Sequence, residues 1–277
     1  MRVGITNGPF NHLPLDQRYR RMREIGYDAV DQDLARTDEP YYADKAAMEA
    51  HCKAVRAAAE EAGIEISQVH GPWPTDDTTE EKRAATLENM RLAVYGCHVL
   101  GAPYLIIHPQ MPYGWGREDD AEFALRLTVD LMKALMPDCE RYGVTLCLEN
   151  MPMTAHRIST MDRIAEAVAM VDHPNAGICL DTGHVNVFGQ SLGDAVHAAG
   201  KYLRTLHVHD NDGKADRHLL PYLGTADWES FTAALADVGF DGVMSLETSG
   251  PVSVKMPAAV RDAADRLTYM VARQLAE

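Results

Sequence analysis

The chain has 277 residues, 46% of them hydrophobic, and a formal charge of −15. That length exceeds one ordinary domain but matches the roughly 250 residues an α/β barrel takes as a single unit, so one domain over 1–277 is expected. The acidic balance argues against a nucleic-acid partner, whose phosphates it would repel, and no stretch approaches the ~18 apolar residues of a membrane span.

In chain order, the opening MRVGITNGPF has no apolar targeting core, and a cytoplasmic location is the expectation. Short β-rich runs then recur at 3–6, 29–32, 65–70, 104–108, 145–149, 177–181, 205–209 and 243–247. Amphipathic stretches at 43–62, 80–100, 122–142 and 161–171 lie between them, and a last one at 258–275 closes the chain. The nearest thing to a basic cluster, Arg18, Arg20, Arg21 and Arg23, falls on an early helical stretch. Gly63, Gly143 and Gly239 stand where a helix hands over to a strand, and Gly101 with Pro103 does the same before the fourth strand. Asp194 and Asp227 are placed to cap the short helices that follow strands six and seven. Eight strands alternating with eight helices imply a parallel sheet, most simply closed as a (β/α)₈ TIM barrel; a doubly wound open sheet would have fewer strands and a glycine-rich first turn. The five cysteines, Cys52, Cys97, Cys139, Cys147 and Cys179, form no CxxC pair and read as buried free thiols.

Six of the eight strands finish on a side chain able to bind metal. They are His70 on strand three, His108 on strand four and Glu149 on strand five. Strand six ends on Asp181 with His184 after it, strand seven carries His207, His209 and Asp210, and strand eight ends on Glu247. In a barrel these ends meet at one mouth. An apolar strand that ends on a carboxylate or imidazole carries a desolvation cost that a shared ligand relieves. A salt-bridged mouth is the alternative for any single residue, but convergence of six strands favours a metal. Imidazole and carboxylate donors without thiolate suit one divalent ion, Mn²⁺ in preference to Zn²⁺, Co²⁺ or Mg²⁺. Strand alternation places His207 and His209 on one face. Trp73, Tyr113 and Trp115 sit in loops after strands three and four, where rings can pack on a sugar face, and Gly114 and Gly116 make Trp115 part of a candidate lid. No glycine-rich phosphate loop follows strands seven or eight.

The motifs LEN (148–150), CLDTGH (179–184), LHVHDNDG (206–213), DRHL (216–219) and LET (246–248), in this order, make the chain resemble the xylose isomerase-like TIM barrel superfamily. That superfamily includes ketose 3-epimerases, inosose-processing enzymes and class II AP endonucleases. The resemblance implies one divalent ion on Glu149, Asp181, His207 and Glu247. It further implies that Glu149 and Glu247 exchange protons with a sugar or polyol through an enediolate, in an isomerase or epimerase reaction. His70, His108, His184, His209, Arg217 and Trp115 then stand as substrate contacts, and Asp216 and His218 as candidates for a second ion site. Two related activities stay open: a lyase or dehydratase of the keto-inositol or C-glycoside type, and a zinc AP endonuclease-like phosphodiesterase. The nine-ligand zinc set of the latter matches His70, His108, Glu149, Asp181, His184, His207, Asp216, His218 and Glu247. The characterised epimerases carry Glu two residues after the metal His, where this chain has His209, and the spacing to Arg217 differs from theirs as well. A small-molecule carbohydrate or polyol is the expected partner. Relatives are often dimers or tetramers, and only that analogy bears on whether this chain forms a homo-oligomer.

Overall fold

The computed structural model describes residues 1–75, 77–248 and 256–277. The strands are β1 (Arg2–Thr6), β2 (Ala29–Asp33), β3 (Glu65–His70), β4 (Tyr104–Ile107), β5 (Thr145–Glu149), β6 (Ala176–Asp181), β7 (Leu203–His207) and β8 (Val243–Leu246). They form one parallel sheet in the order β7-β6-β5-β4-β3-β2-β1-β8. Among the described residues its two ends meet through a single bridge, Val208 to Leu246. There Val208 N donates to Ser245 O and Glu247 N donates to Val208 O. The result is the expected eight-stranded α/β barrel, loosest between β7 and β8.

The helices are α1 (Leu15–Ile25), α2 (Lys45–Ala62), α3 (Glu80–Leu100), α4 (Ala121–Tyr142), α5 (Met161–Val171), α6 (Thr182–Val187), α7 (Leu192–Ala199), α8 (Trp228–Asp237) and α9 (Ala258–Ala276). Among the described residues there is one more helix than expected, because the segment after β6 winds into two short ones. Local chemistry sets the boundaries. Asp44, Thr79, Asp120 and Asp227 each accept a hydrogen bond from a first-turn amide of the helix they precede, satisfying donors that have no partner inside the helix. Gly63 ends α2 at φ 70°, in the left-handed region that L side chains rarely adopt. The cap of α7 is Ser191 rather than Asp194: the Ser191 hydroxyl accepts from Asp194 N. Serine at this position leaves the Asp194 side chain within the first turn, where its charge favours the helix dipole.

Most apolar burial lies between the sheet and the helix ring, around Val30, Leu105, Leu146, Ile178, Met132 and Phe231. Inside the barrel a separate small cluster joins Ile106, Cys147 and Cys179. All five cysteines are free and buried, and burial pushes the thiols of Cys52, Cys139 and Cys179 up to about 12. The N-terminal ammonium donates to Ala276 O at 2.9 Å, tying the two chain ends together. Three of the early arginines pair with acids, Arg20 with Glu61, Arg21 with Asp262 and Arg23 with Asp28, while Arg18 donates to Leu13 O. A cavity of about 470 Å³ opens at the N-terminal end of the barrel, lined by Arg2, Glu65, Gln68, Lys201, Arg204 and Gly242; the metal-capable residues lie at the other end. The loop after β8, where no phosphate-binding glycines were expected, falls largely outside the described residues.

Candidate metal centre

Among the described residues five overlapping donor groups meet at the C-terminal end of the barrel; two join His207 to His70 and Glu247 or to Glu149 and Cys179, and the other three span the mouth. In the central one, a donor atom from each of Glu149, Asp181, His207 and Glu247 lies within 4.8 Å of the others. His207 Nδ1 is 3.0 Å from Glu149 Oε1 and 3.1 Å from Glu247 Oε2. Glu149, Asp181 and His207 are fully buried, whereas the Glu247 side chain keeps 18% of its surface open to the mouth. Glu149 and Asp181 close β5 and β6, which are paired at the Glu149–Cys179 level. Asn150 fixes the next step of this corner. Its side-chain oxygen accepts from Asp181 N at 2.8 Å and its amide donates to Asp181 O at 3.0 Å.

The second group consists of His184, His209, Asp216 and His218. His184 Nδ1–H donates to Asn150 O and His218 Nδ1–H donates to Glu247 O, both at 2.7 Å. Each ring therefore turns its Nε2 towards Asp216 Oδ2, at 3.4 and 3.1 Å. His209 stacks on His218 with ring centres 4.1 Å apart and sets its Nε2 2.9 Å from Asp181 Oδ2. Asp181 thus touches both groups. The third group is His70, His108 and Glu149; His108 Nε2 lies 3.2 Å from Glu149 Oε2. An aromatic row leads outward from it. The Trp73 ring meets His108 edge-on at 4.6 Å, and Trp115, 60% exposed, meets Trp73 edge-on at 5.4 Å.

Burial opposes every charge here, and the partners decide the outcome. Burial would raise the Glu149 carboxyl, but His207 and His108 hold it well below the ordinary range. Asp181 is held low by His184 and His209 against the same burial penalty. Glu247 goes the other way: burial, with Glu149 adding to it, raises it despite His207. Burial works against charging His184 and His218, yet the nearby carboxylates bring them up to about 10 and about 9. His207 is likewise lifted well above the ordinary imidazole range by Cys179, Glu247, Glu149 and its bond to Asp31. His108 is lowered by burial, which outweighs its contact with Glu149. Such a concentration of buried carboxylate and imidazole suits a cation. Glu247 Oε2 and Glu149 Oε2 are buried atoms without an aligned hydrogen-bond partner, and a bound divalent ion supplies what such donors lack. The residues present fit the ion.

The expected residues are not used alike. Asp210, one of the metal-capable residues on strand seven, serves the loop instead. Its carboxylate accepts from Asn211 N, Gly224 N, Ala226 N and the Trp228 indole. Arg217 is exposed and its Nε donates to Asp212 at 3.0 Å. Thr182 was not anticipated; its hydroxyl donates to His209 O at 2.7 Å and accepts from His209 N at 3.0 Å, fixing the strand-seven exit against α6. Asp31 and Gln68, buried inside the barrel, were also missed. β2 (AVDQD) and β3 (EISQVH) carry other polar residues beside them, so neither stands out within its own strand.

The family model described as a xylose isomerase-like TIM barrel matches residues 19–270. The D-psicose 3-epimerase of Ruminiclostridium cellulolyticum is 27% identical over 243 residues, spanning 84% of this chain and 78% of that protein. An inosose isomerase of Bacillus licheniformis is 23% identical, spanning 70% and 72%. Among solved structures, a D-psicose 3-epimerase in the presence of D-fructose superposes with a TM-score of 0.81 at 18% identity, covering 100% of this chain and 99% of the other. An IOLI protein with a zinc atom superposes with a TM-score of 0.76 at 18% identity, covering 99% and 96%. At these identities the structural likenesses establish the fold.

Proposed function

Because the chain belongs to the xylose isomerase-like TIM barrel family, we propose that it is a divalent-metal-dependent isomerase or epimerase of a small sugar or polyol. The observation that carries this reading is the meeting of Glu149, Asp181, His207 and Glu247 around one point. These four would hold the ion, Mn²⁺ in preference to Zn²⁺, and the relatives named as epimerases and isomerases support the reaction class. When bound, the ion supplies Lewis-acid polarisation of a carbonyl and its neighbouring hydroxyl. The protein supplies the proton movements. Glu149, held ionised, takes the proton next to the carbonyl to give an enediolate. Glu247, which keeps part of its side chain open to the mouth, returns one to carbon. Return from the opposite face epimerises, and transfer between neighbouring carbons isomerises. His108 and His184 line the same mouth as hydrogen-bonding groups, and Trp73 and Trp115 present ring surface to a sugar's C–H face.

A second reading, that more than one ion is taken up, is supported by the His184, His209, Asp216 and His218 group. Metal analysis of the purified protein separates the two by stoichiometry. The reaction class is tested by incubating the metal-loaded protein with ketoses in D₂O. Deuterium at a carbon next to the carbonyl, without dehydration products, is the expected result. Dehydration or cleavage products would move the assignment to a lyase.

A further inference from the structure

We propose that Asp31 is a positioning residue for His207, and that it decides which ring nitrogen of His207 faces the ion. The proposal rests on the metal reading above. His207 Nε2–H donates to Asp31 Oδ2 at 2.8 Å, while Nδ1 faces Glu149 and Glu247. The His70 ring lies parallel to it, 5.5 Å away and 7° off parallel, which leaves the imidazole little room to turn over. The acid is itself held. Gln68 Nε2 donates to the same Oδ2 at 3.1 Å and approaches Leu206 O at 3.3 Å.

This arrangement is built into the strand register. β2 and β3 pair Val30 with Ile66 but Asp31 with Gln68, so Ser67 is an extra residue in the ladder. The irregularity brings the Asp31 and Gln68 side chains together inside the barrel, where a regular ladder would set Ser67 opposite Asp31. Asp31 Oδ1 accepts no hydrogen bond and is buried, so the residue is poorly accounted for as a packing element. A carboxylate on the far nitrogen of a metal-bound histidine fixes the tautomer, orients the ring and makes the near nitrogen a better donor. Asp31 touches neither substrate nor ion; it acts through His207.

The test uses zinc alone. Affinity is measured by competition with a chromogenic chelator for the wild type, Asp31→Asn and Asp31→Ala. In parallel, ¹H–¹⁵N spectra of the zinc-loaded protein report which His207 nitrogen carries the proton. In the wild type, zinc is expected on Nδ1, with a downfield, exchange-protected Nε2–H. Asp31→Ala is expected to bind zinc about 10–100-fold more weakly and to lose that proton signal. Asp31→Asn, whose carbonyl can still accept, should fall between. Wild-type zinc on Nε2, or folded variants with affinity within twofold of wild type, overturns the proposal alone. A wild type that binds no zinc overturns the metal reading and this proposal with it. If Asp31→Ala does not fold, the wild-type spectrum and Asp31→Asn still decide.

Discussion

Metal uptake at this mouth should displace protons, and their number reports where the ion goes. In the metal-free protein the nearby carboxylates, working against burial, push His184 up to about 10 and His218 up to about 9. At pH 7 both are charged, with Nε2–H directed at Asp216. An ion taking those nitrogens must expel about two protons. An ion on the central group must expel the His207 Nδ1 proton, about one, plus whatever fraction Glu247 still holds. Each linked proton makes affinity rise tenfold per pH unit, about 1.4 kcal/mol. From pH 6 to 8 the gain is therefore on the order of 10⁴-fold for the outer group, and affinity for the central group rises with pH as well. Titration calorimetry with Mn²⁺ or Zn²⁺ in buffers of different ionisation enthalpy counts the protons. Tight binding with no proton release and no pH dependence over this range would refute the reasoning. The same shifts fix a sign for the metal-free fold. Histidines raised on folding stabilise it fully below about pH 6.5, and that stabilisation is lost as pH rises through about 9 to 10. The melting temperature of the metal-free protein should fall over that window, and metal-loaded protein should fall less.

Three substitutions test other parts of the argument. Glu247→Gln keeps the shape of the mouth but removes a proton carrier, so deuterium exchange into substrate should slow by about 10²–10⁴-fold; full activity would exclude the two-glutamate mechanism. Gly183→Ala would put a methyl 1.9 Å from His209 Cε1, and that ring is held by Asp181 and stacked on His218; a loss of about 1–3 kcal/mol in urea unfolding is expected, and unchanged stability would show that His209 is free to move. Asp210→Ala strips the acceptor from four donors, three of them backbone amides; each left unpaired costs about 1–3 kcal/mol, so unfolding at markedly lower denaturant is expected, and a near-neutral effect would mean that water replaces the carboxylate.

What the sequence reveals here, and what it hides, follows from how each residue is used. Glu149 and Asp181 were legible because each ends an apolar run, where burial of a carboxylate demands an explanation, and parallel strands bring such ends together. The split within LHVHDND was not legible. His207 and His209 share a face by alternation, but β7 ends at His207, and beyond it the chain is guided by the Thr182 hydroxyl and by Asp210. Those contacts come from residues distant in the chain, so no local pattern announces that Asp210 serves the loop while His207 and His209 face the mouth. Asp31 was hidden for a related reason. Its partner His207 is 176 positions away, and the irregularity that sets it beside Gln68 is a property of two strands, not one. Strand ends are readable because period and polarity are local. The network that orients them belongs to the closed barrel, and it forms only when β2, β3 and β7 come to face one interior.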